Sequence, residues 1–338
     1  MTAPTTQAAV AAPLLEIDGL TVQFPTPAGP MSVVRDVSFA VAAGECLGIV
    51  GESGSGKSMT SRAVLRLVPP PGRIAGGSVR FDGTDLLTLT EKQMRSVRGA
   101  QISMVFQDPT ASLNPLFSIG RQLTDVIRTH TDAGRAEARR RAVEVLDQVG
   151  FADARRRLRA YPFELSGGLR QRVSIALALA CGPKLVIADE PTTNLDVSIQ
   201  AQIIDLLLQL KNDVGFAILF ISHDLGVVAS IADRVSIMYA GRALETGPAS
   251  AVLAQPSHPY TQRLLRSAPT LESRRADGLP SIPGAAPQLG ELPAGCPFTA
   301  RCELAIEGVC AEVEPVWTDL GDGRAAMCHL LEKELANA

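Results

Sequence analysis

The chain has 338 residues and 35.7 kDa, 46% of them hydrophobic and 20% charged, which supports a large buried core and excludes disorder and collagen-like repetition. With 32 Lys and Arg against 35 Asp and Glu the net charge is −3, which argues against a dedicated nucleic-acid or anionic-membrane binder. Four of the six cysteines (Cys296, Cys302, Cys310, Cys328) fall near the end and set that segment apart from the main body.

In chain order, Met1 to Ala12 is Thr/Ala-rich without Lys or Arg, so it lacks the basic region of a signal peptide, and residues 1–13 read as a flexible tail. No stretch reaches the roughly 20 apolar residues needed to cross a bilayer, which predicts a cytosolic chain. Short strands are expected at Leu14–Ile17 and Val33–Val41, followed by the apolar run Leu47–Val50. A Gly-rich turn comes next, and then Met59, Ala63, Val64, Leu67 and Val68 recur at helical spacing until Pro69-Pro70-Pro71. The turn, Gly51-Glu52-Ser53-Gly54-Ser55-Gly56-Lys57-Ser58, matches G-x-x-x-x-G-K-[ST] between a strand and a helix. Its glycines let successive backbone N–H groups face phosphate oxygens, Lys57 neutralises β/γ-phosphate charge, and the Ser58 hydroxyl ligates Mg²⁺.

Further on, Ile102–Phe106 is an expected strand, and Asp108–Leu165 holds an Asn/Pro loop and an Arg-rich helical stretch. Glu137, Glu144, Asp147 and Asp153 are interleaved with its arginines, so it reads as a solvated helical face. Val173–Ala180 is an expected buried helix. Leu185–Ala188 and Ala217–Ser222 have the branched, uncharged composition of central parallel strands, whose C-terminal ends carry active residues. The first of these ends in Asp189 and Glu190. Asp189 is placed to hold the Mg²⁺ shell and Glu190 to act on water as a general base.

Three further elements make the chain resemble an ATP-binding cassette ATPase, specifically the ATPase subunit of the oligopeptide/dipeptide importers. Leu165-Ser166-Gly167-Gly168 followed by Leu169-Arg170-Gln171-Arg172 resembles the signature sequence, with Leu169 where Gln is commoner, a departure that resembles the peptide-importer branch. Ser166 and its glycines open a helix whose N-terminus is a second anion site. Gln107 resembles the glutamine that senses Mg²⁺ and γ-phosphate, and His223 the switch histidine that aligns Glu190 with water. Asn194-Leu195-Asp196 resembles the loop that communicates between two nucleotide sites, with Asn194 replacing a more usual small residue, and Phe24 resembles the aromatic that stacks on adenine.

The resemblance implies an α/β fold: a P-loop NTPase cassette over residues 14–265 with a parallel core sheet, an antiparallel β subdomain and a helical subdomain at about 108–170. Residues 266–338 would be a C-terminal extension carrying the cysteines. It further implies ATP and Mg²⁺ as ligands and a head-to-tail dimer with a second, paralogous cassette whose ATP is met by Ser166-Gly167-Gly168. Two membrane permeases, an extracytoplasmic binding protein and a peripheral position on the cytoplasmic membrane face complete it. Import of nickel or another small solute, or a soluble ATPase acting on nucleic acid or ribosomes, are the alternatives; the short spacing between Lys57 and Asp189 leaves no room for a repair-type coiled coil. The late cysteines, spaced C-x5-C-x7-C-x17-C before His329, suit an iron–sulfur cluster or tetrahedral zinc, although zinc's C-x2-4-C pairs are absent. The resemblance favours 4Fe-4S. Cys46 and Cys181 are expected in the core.

Overall fold

The structure is a computed structural model that describes residues 12–267, 282–285, 287 and 292–336. The expected tail up to residue 11 and most of the proline-rich connection before Cys296 lie outside the described residues.

Among the described residues, twelve strands form two sheets. Strands β1 (Leu15–Thr26), β2 (Gly29–Val41), β4 (Arg73–Phe81) and β5 (Thr84–Asp85) make an antiparallel sheet in the order β2-β1-β4-β5. Strands β3 (Cys46–Val50), β6 (Ile102–Val105), β7 (Leu185–Asp189), β8 (Ala217–Ser222), β9 (Arg234–Tyr239), β10 (Arg242–Pro248), β11 (Trp317–Gly321) and β12 (Arg324–Met327) make the larger sheet, ordered β11-β12-β10-β9-β3-β8-β7-β6. The run β9-β3-β8-β7-β6 is parallel, and the β10, β12 and β11 edge is antiparallel.

Alternation along the central strands divides the core. Leu47, Ile49, Leu185, Ile187, Leu219 and Ile221 pack toward the antiparallel sheet, while Cys46, Val50, Val186, Ala188, Ile218 and Phe220 pack toward the helices. In chain order the helices are α1 (Lys57–Val64), α2 (Glu91–Val97), α3 (Pro109–Ser112), α4 (Ile119–His130), α5 (Arg135–Gln148), α6 (Ala154–Arg157), α7 (Gly167–Leu179), α8 (Val197–Val214), α9 (Leu225–Ile231), α10 (Ala249–Ala254), α11 (Pro259–Arg266) and α12 (His329–Ala336). Helices α3 to α6 occupy the stretch expected as a helical subdomain. On α5, Arg140 pairs with Glu137 and Glu144, and Arg141 with Glu137, as expected of a solvated face.

Several boundaries differ from the sequence expectation. Strand β1 runs on to Thr26 because register shifts around Gly19, at φ +60°, reset the alternation instead of ending the strand. Helix α1 stops at Val64, with Arg66 at φ +53°, before the prolines are reached. Helix α7 begins at Gly167, since Ser166 caps it by accepting the Leu169 N–H.

Described residues beyond 292 join the larger sheet and the core. Strand β12 pairs with β10 through Glu245–Ala326 and Thr246–Ala325, and Cys296 and Phe298 belong to the same buried cluster as the central strands. Cys46 is fully buried as expected, whereas Cys181 lies just past the end of α7 and is only half-buried.

Candidate functional site

Four neighbouring parallel strands deliver the site from their C-terminal ends: β3 the Gly51–Ser58 loop, β6 Gln107, β7 Asp189 and Glu190, β8 His223. The loop is shaped by glycine where no other residue fits. Gly56 has φ +95°, and a Cβ on Gly51 would lie 2.0 Å from the Met238 carbonyl oxygen. The Lys57 ammonium is nearly buried and folds back, donating to the Gly51 carbonyl at 2.7 Å and the Glu52 carbonyl at 2.9 Å. Burial lowers its pKa, and the carboxylates of Glu190, Asp189 and Glu52 oppose that shift.

Ser58 Oγ donates to Asp189 Oδ1 at 2.7 Å. Burial raises the Asp189 carboxyl, the Ser58 hydrogen bond opposes this, and a bound cation would reverse it. A hydroxyl and a carboxylate side by side are the hard oxygen donors Mg²⁺ takes, so the residues fit the ion. Glu190 adopts φ +48°, a left-handed conformation unusual for a residue with a side chain, which turns its carboxylate into the site. Gln107 Nε2 donates to Glu190 Oε2 at 2.9 Å, Thr193 Oγ1 donates to the same oxygen at 3.0 Å, and His223 Nδ1 stands 3.4 Å from Oε1. Gln107, expected on the metal and the γ-phosphate, thus has its amide nitrogen on Glu190.

The signature residues are not drawn into this cluster. No hydrogen bond among the described residues joins Ser166, Gly167 or Gly168 to the Gly51–Ser58 loop, and a Cβ on Gly168 would press on Ile199 of α8 at 2.8 Å. Asp196 uses Oδ1 to cap α8, accepting from Ser198 and Ile199 N–H groups at 3.1 and 3.0 Å. Asn194 sits at φ +68°, a conformation asparagine adopts readily, which gives a reason for its presence. Phe24, on β1, lays its ring over Gly72, where a Cβ would be 2.5 Å from it.

Cys296, Cys302, Cys310 and Cys328 line one small enclosed cavity of about 10 Å³ with His258 and His329, and none is in a disulfide. Ile306 N–H donates to Cys310 Sγ at 3.2 Å. Burial pushes the Cys296 thiol up to about 12. His258 Nδ1 accepts from Tyr260 N–H at 3.0 Å, its ring is pushed down to about 3 by burial, and its Nε2 has no partner. Converging thiols, one amide donor on Cys310 and an orphaned ring N–H are the kind of groups an iron–sulfur site uses. Even so, among the described residues no three His, Cys, Asp or Glu side chains are arranged to hold a metal ion, so the expected zinc alternative has no formed ligand set and the cluster is not established.

Residues 34–193 match the ABC transporter family, and residues 244–310 match the oligopeptide/dipeptide transporter C-terminal region. The chain is 50% identical to the oligopeptide transport ATP-binding protein OppD of Salmonella typhimurium over 95% of both chains. It is 47% identical to OppD of Bacillus subtilis, over 95% of this chain and 90% of that one. This chain belongs to the ABC-transporter ATPases of the oligopeptide/dipeptide importer family. The fold of this importer-family ATPase is also that of the ATP-binding cassette MJ0796, solved as a dimer in a post-hydrolysis state with ADP and Pi. That match has a TM-score of 0.62 at 26% identity, over 70% of this chain and 98% of that one. The cassette cbiO1 from Clostridium perfringens matches with a TM-score of 0.62 at 25% identity, over 72% of this chain and 91% of that one.

Two features of this importer-family site escape sequence reasoning. Thr193 carries no motif signal beyond its place three residues after Glu190. The contact of Arg301 with Glu52 spans 249 positions, and no local pattern announces it.

Proposed function

We propose that this chain is the ATP-hydrolysing subunit of a membrane importer for dipeptides and oligopeptides. The observation that carries the reading is the Glu190 carboxylate, held by Gln107, Thr193 and His223 at the mouth of the loop that presents Lys57 and the Ser58–Asp189 pair. The identity to both OppD proteins supports the peptide class.

In this reading the Gly51–Ser58 backbone and Lys57 bind the β- and γ-phosphates, and Phe24 stacks on adenine. Ser58 and Asp189, with Gln107, hold Mg²⁺, which when bound supplies neutralising charge to the phosphates. Glu190 then accepts the proton of the attacking water, with His223 fixing the direction of its carboxylate. Ser166, Gly167 and Gly168 stand apart from the chain's own loop and serve the ATP of a second cassette packed head to tail, in keeping with the dimeric MJ0796. Asp196 acts by holding the start of α8 at that contact. Among the described residues no helix is long and apolar enough to cross a membrane. In the importer reading the chain sits at the cytoplasmic membrane face on two permease subunits, with an extracytoplasmic binding protein delivering the peptide.

The four cysteines would be the ligands of a 4Fe-4S cluster that staples the extension, a reading supported by their convergence on one spot and by the Ile306 N–H on Cys310 Sγ. Anaerobically purified protein is expected to be brown with stoichiometric iron and acid-labile sulfide; a colourless protein without iron contradicts this. For the transport reading, the purified complex is expected to raise its ATP turnover when peptide-loaded binding protein is added. Turnover indifferent to peptide and binding protein would refute it.

A further inference from the structure

Glu52, the second residue of the phosphate-binding loop, takes part in five hydrogen bonds, and three of them come from outside the loop. Its carbonyl accepts from Lys57 Nζ at 2.9 Å and from Ser55 N–H at 3.2 Å, its N–H donates to Tyr260 Oη at 3.0 Å, and its carboxylate receives Arg301 Nη1 and Nη2 at 2.7 and 3.1 Å. Arg301 immediately precedes Cys302, and its side chain is only 7% exposed. Every one of its five N–H donors is used: besides Glu52 it reaches Tyr239 Oη at 3.1 Å and the carbonyls of Ile282 and Pro283 at 3.2 and 2.9 Å. Phe298 locks the surroundings, with its ring 5.3 Å from both Tyr239 and Tyr260 and edge-on to the former.

Two consequences follow from this geometry. When Lys57 turns toward phosphate oxygens, the Glu52 carbonyl keeps only the Ser55 N–H, and the residue's own N–H and carboxylate are held by Tyr260 and Arg301 from outside the loop. A carboxylate in a loop that receives a polyanion also repels it unless a cation neutralises that charge at close range.

We propose that Arg301 is a positioning residue for ATP: reaching in from the cysteine segment, it neutralises Glu52 and holds the first half of the phosphate-binding loop, so that nucleotide affinity depends on the fold of that segment. The inference rests on ATP binding at the Gly51–Ser58 loop and not on what the cysteines carry.

The test uses the full chain in its complex, with steady-state ATP turnover and binding of a fluorescent ATP analogue. Arg301→Ala is expected to raise the KM for ATP about tenfold while kcat stays within about twofold, with Arg301→Lys intermediate. The double variant Arg301→Ala, Glu52→Gln is expected to recover most of the lost affinity, because it removes the stranded carboxylate; a purely structural role gives no such recovery. Tyr260→Phe keeps the aromatic packing and removes only the hydroxyl at Glu52, so a rise of about threefold in KM without change in Tm is expected even if Arg301→Ala does not fold. An unchanged KM in Arg301→Ala and Tyr260→Phe, or a double variant no better than the single one, would overturn the proposal. Absence of ATP turnover in the parent complex would instead count against the functional reading, while analogue binding still reports on Arg301.

Discussion

Replacing Glu190 by Gln separates binding from chemistry. The amide has the shape of the carboxylate, and its oxygen can keep the hydrogen bonds from Gln107 Nε2 and Thr193 Oγ1, now 2.9 and 3.0 Å long. Its NH₂ then faces His223 Nδ1, 3.4 Å from Oε1, which can accept in the neutral tautomer. The φ of +48° at this position is unaffected, so the fold and the loop that binds the triphosphate persist. What disappears is the proton acceptor, and general-base catalysis is worth about 10²–10⁴-fold in rate, or ~3–5 kcal/mol of barrier. Single-turnover hydrolysis is therefore expected to slow by that factor. ATP affinity stays within about threefold, and a closed dimer accumulates in Mg-ATP on size-exclusion chromatography. Hydrolysis within about fivefold of the parent would refute the assignment of Glu190 as the base.

Gly51→Ala is expected to abolish nucleotide binding, since its Cβ would meet the rigid Met238 carbonyl at 2.0 Å; an ATP affinity like the parent's in a binding titration would contradict the packing of that loop. Asp189→Asn is expected to raise the Tm of the nucleotide-free protein at neutral pH while removing Mg-dependent turnover. Burial raises the folded pKa of Asp189, so the stability it contributes is present below its unfolded pKa and declines as pH rises through the folded one, and the variant abolishes that decline. A lower Tm in a pH-resolved melting series would show that the carboxylate stabilises the fold. Phe298→Ala removes a side chain 1% exposed between Tyr239 and Tyr260 and is expected to cost about 3–5 kcal/mol in denaturant titration; a loss below about 1 kcal/mol would mean that the extension is not part of the core.

What the sequence made legible was local. The Gly51–Ser58 loop sits between a fully apolar strand and a helix, and Gln107, Glu190 and His223 each follow a strand that is uncharged but for Asp189 at the end of β7, so their convergence follows from parallel topology. The unreadable parts are those that distant segments decide. Strand β12 extends the larger sheet by pairing with β10, and Arg301 finds Glu52 across 249 positions, so the cysteine segment that composition set apart is packed onto the Gly51–Ser58 loop. Asp196 reads as a nucleotide residue by motif order, yet its carboxylate caps α8. The bulge at Gly19 carries β1 past the point where its alternation breaks.

The most direct test of the account is ATP-driven uptake of a labelled peptide into proteoliposomes containing the permeases, the binding protein and this chain either intact or as Glu190→Gln. The account predicts ATP-dependent uptake with the intact chain and a fall of at least about half with the variant, as one of two coupled sites stops turning over. Equal uptake with both chains would contradict it.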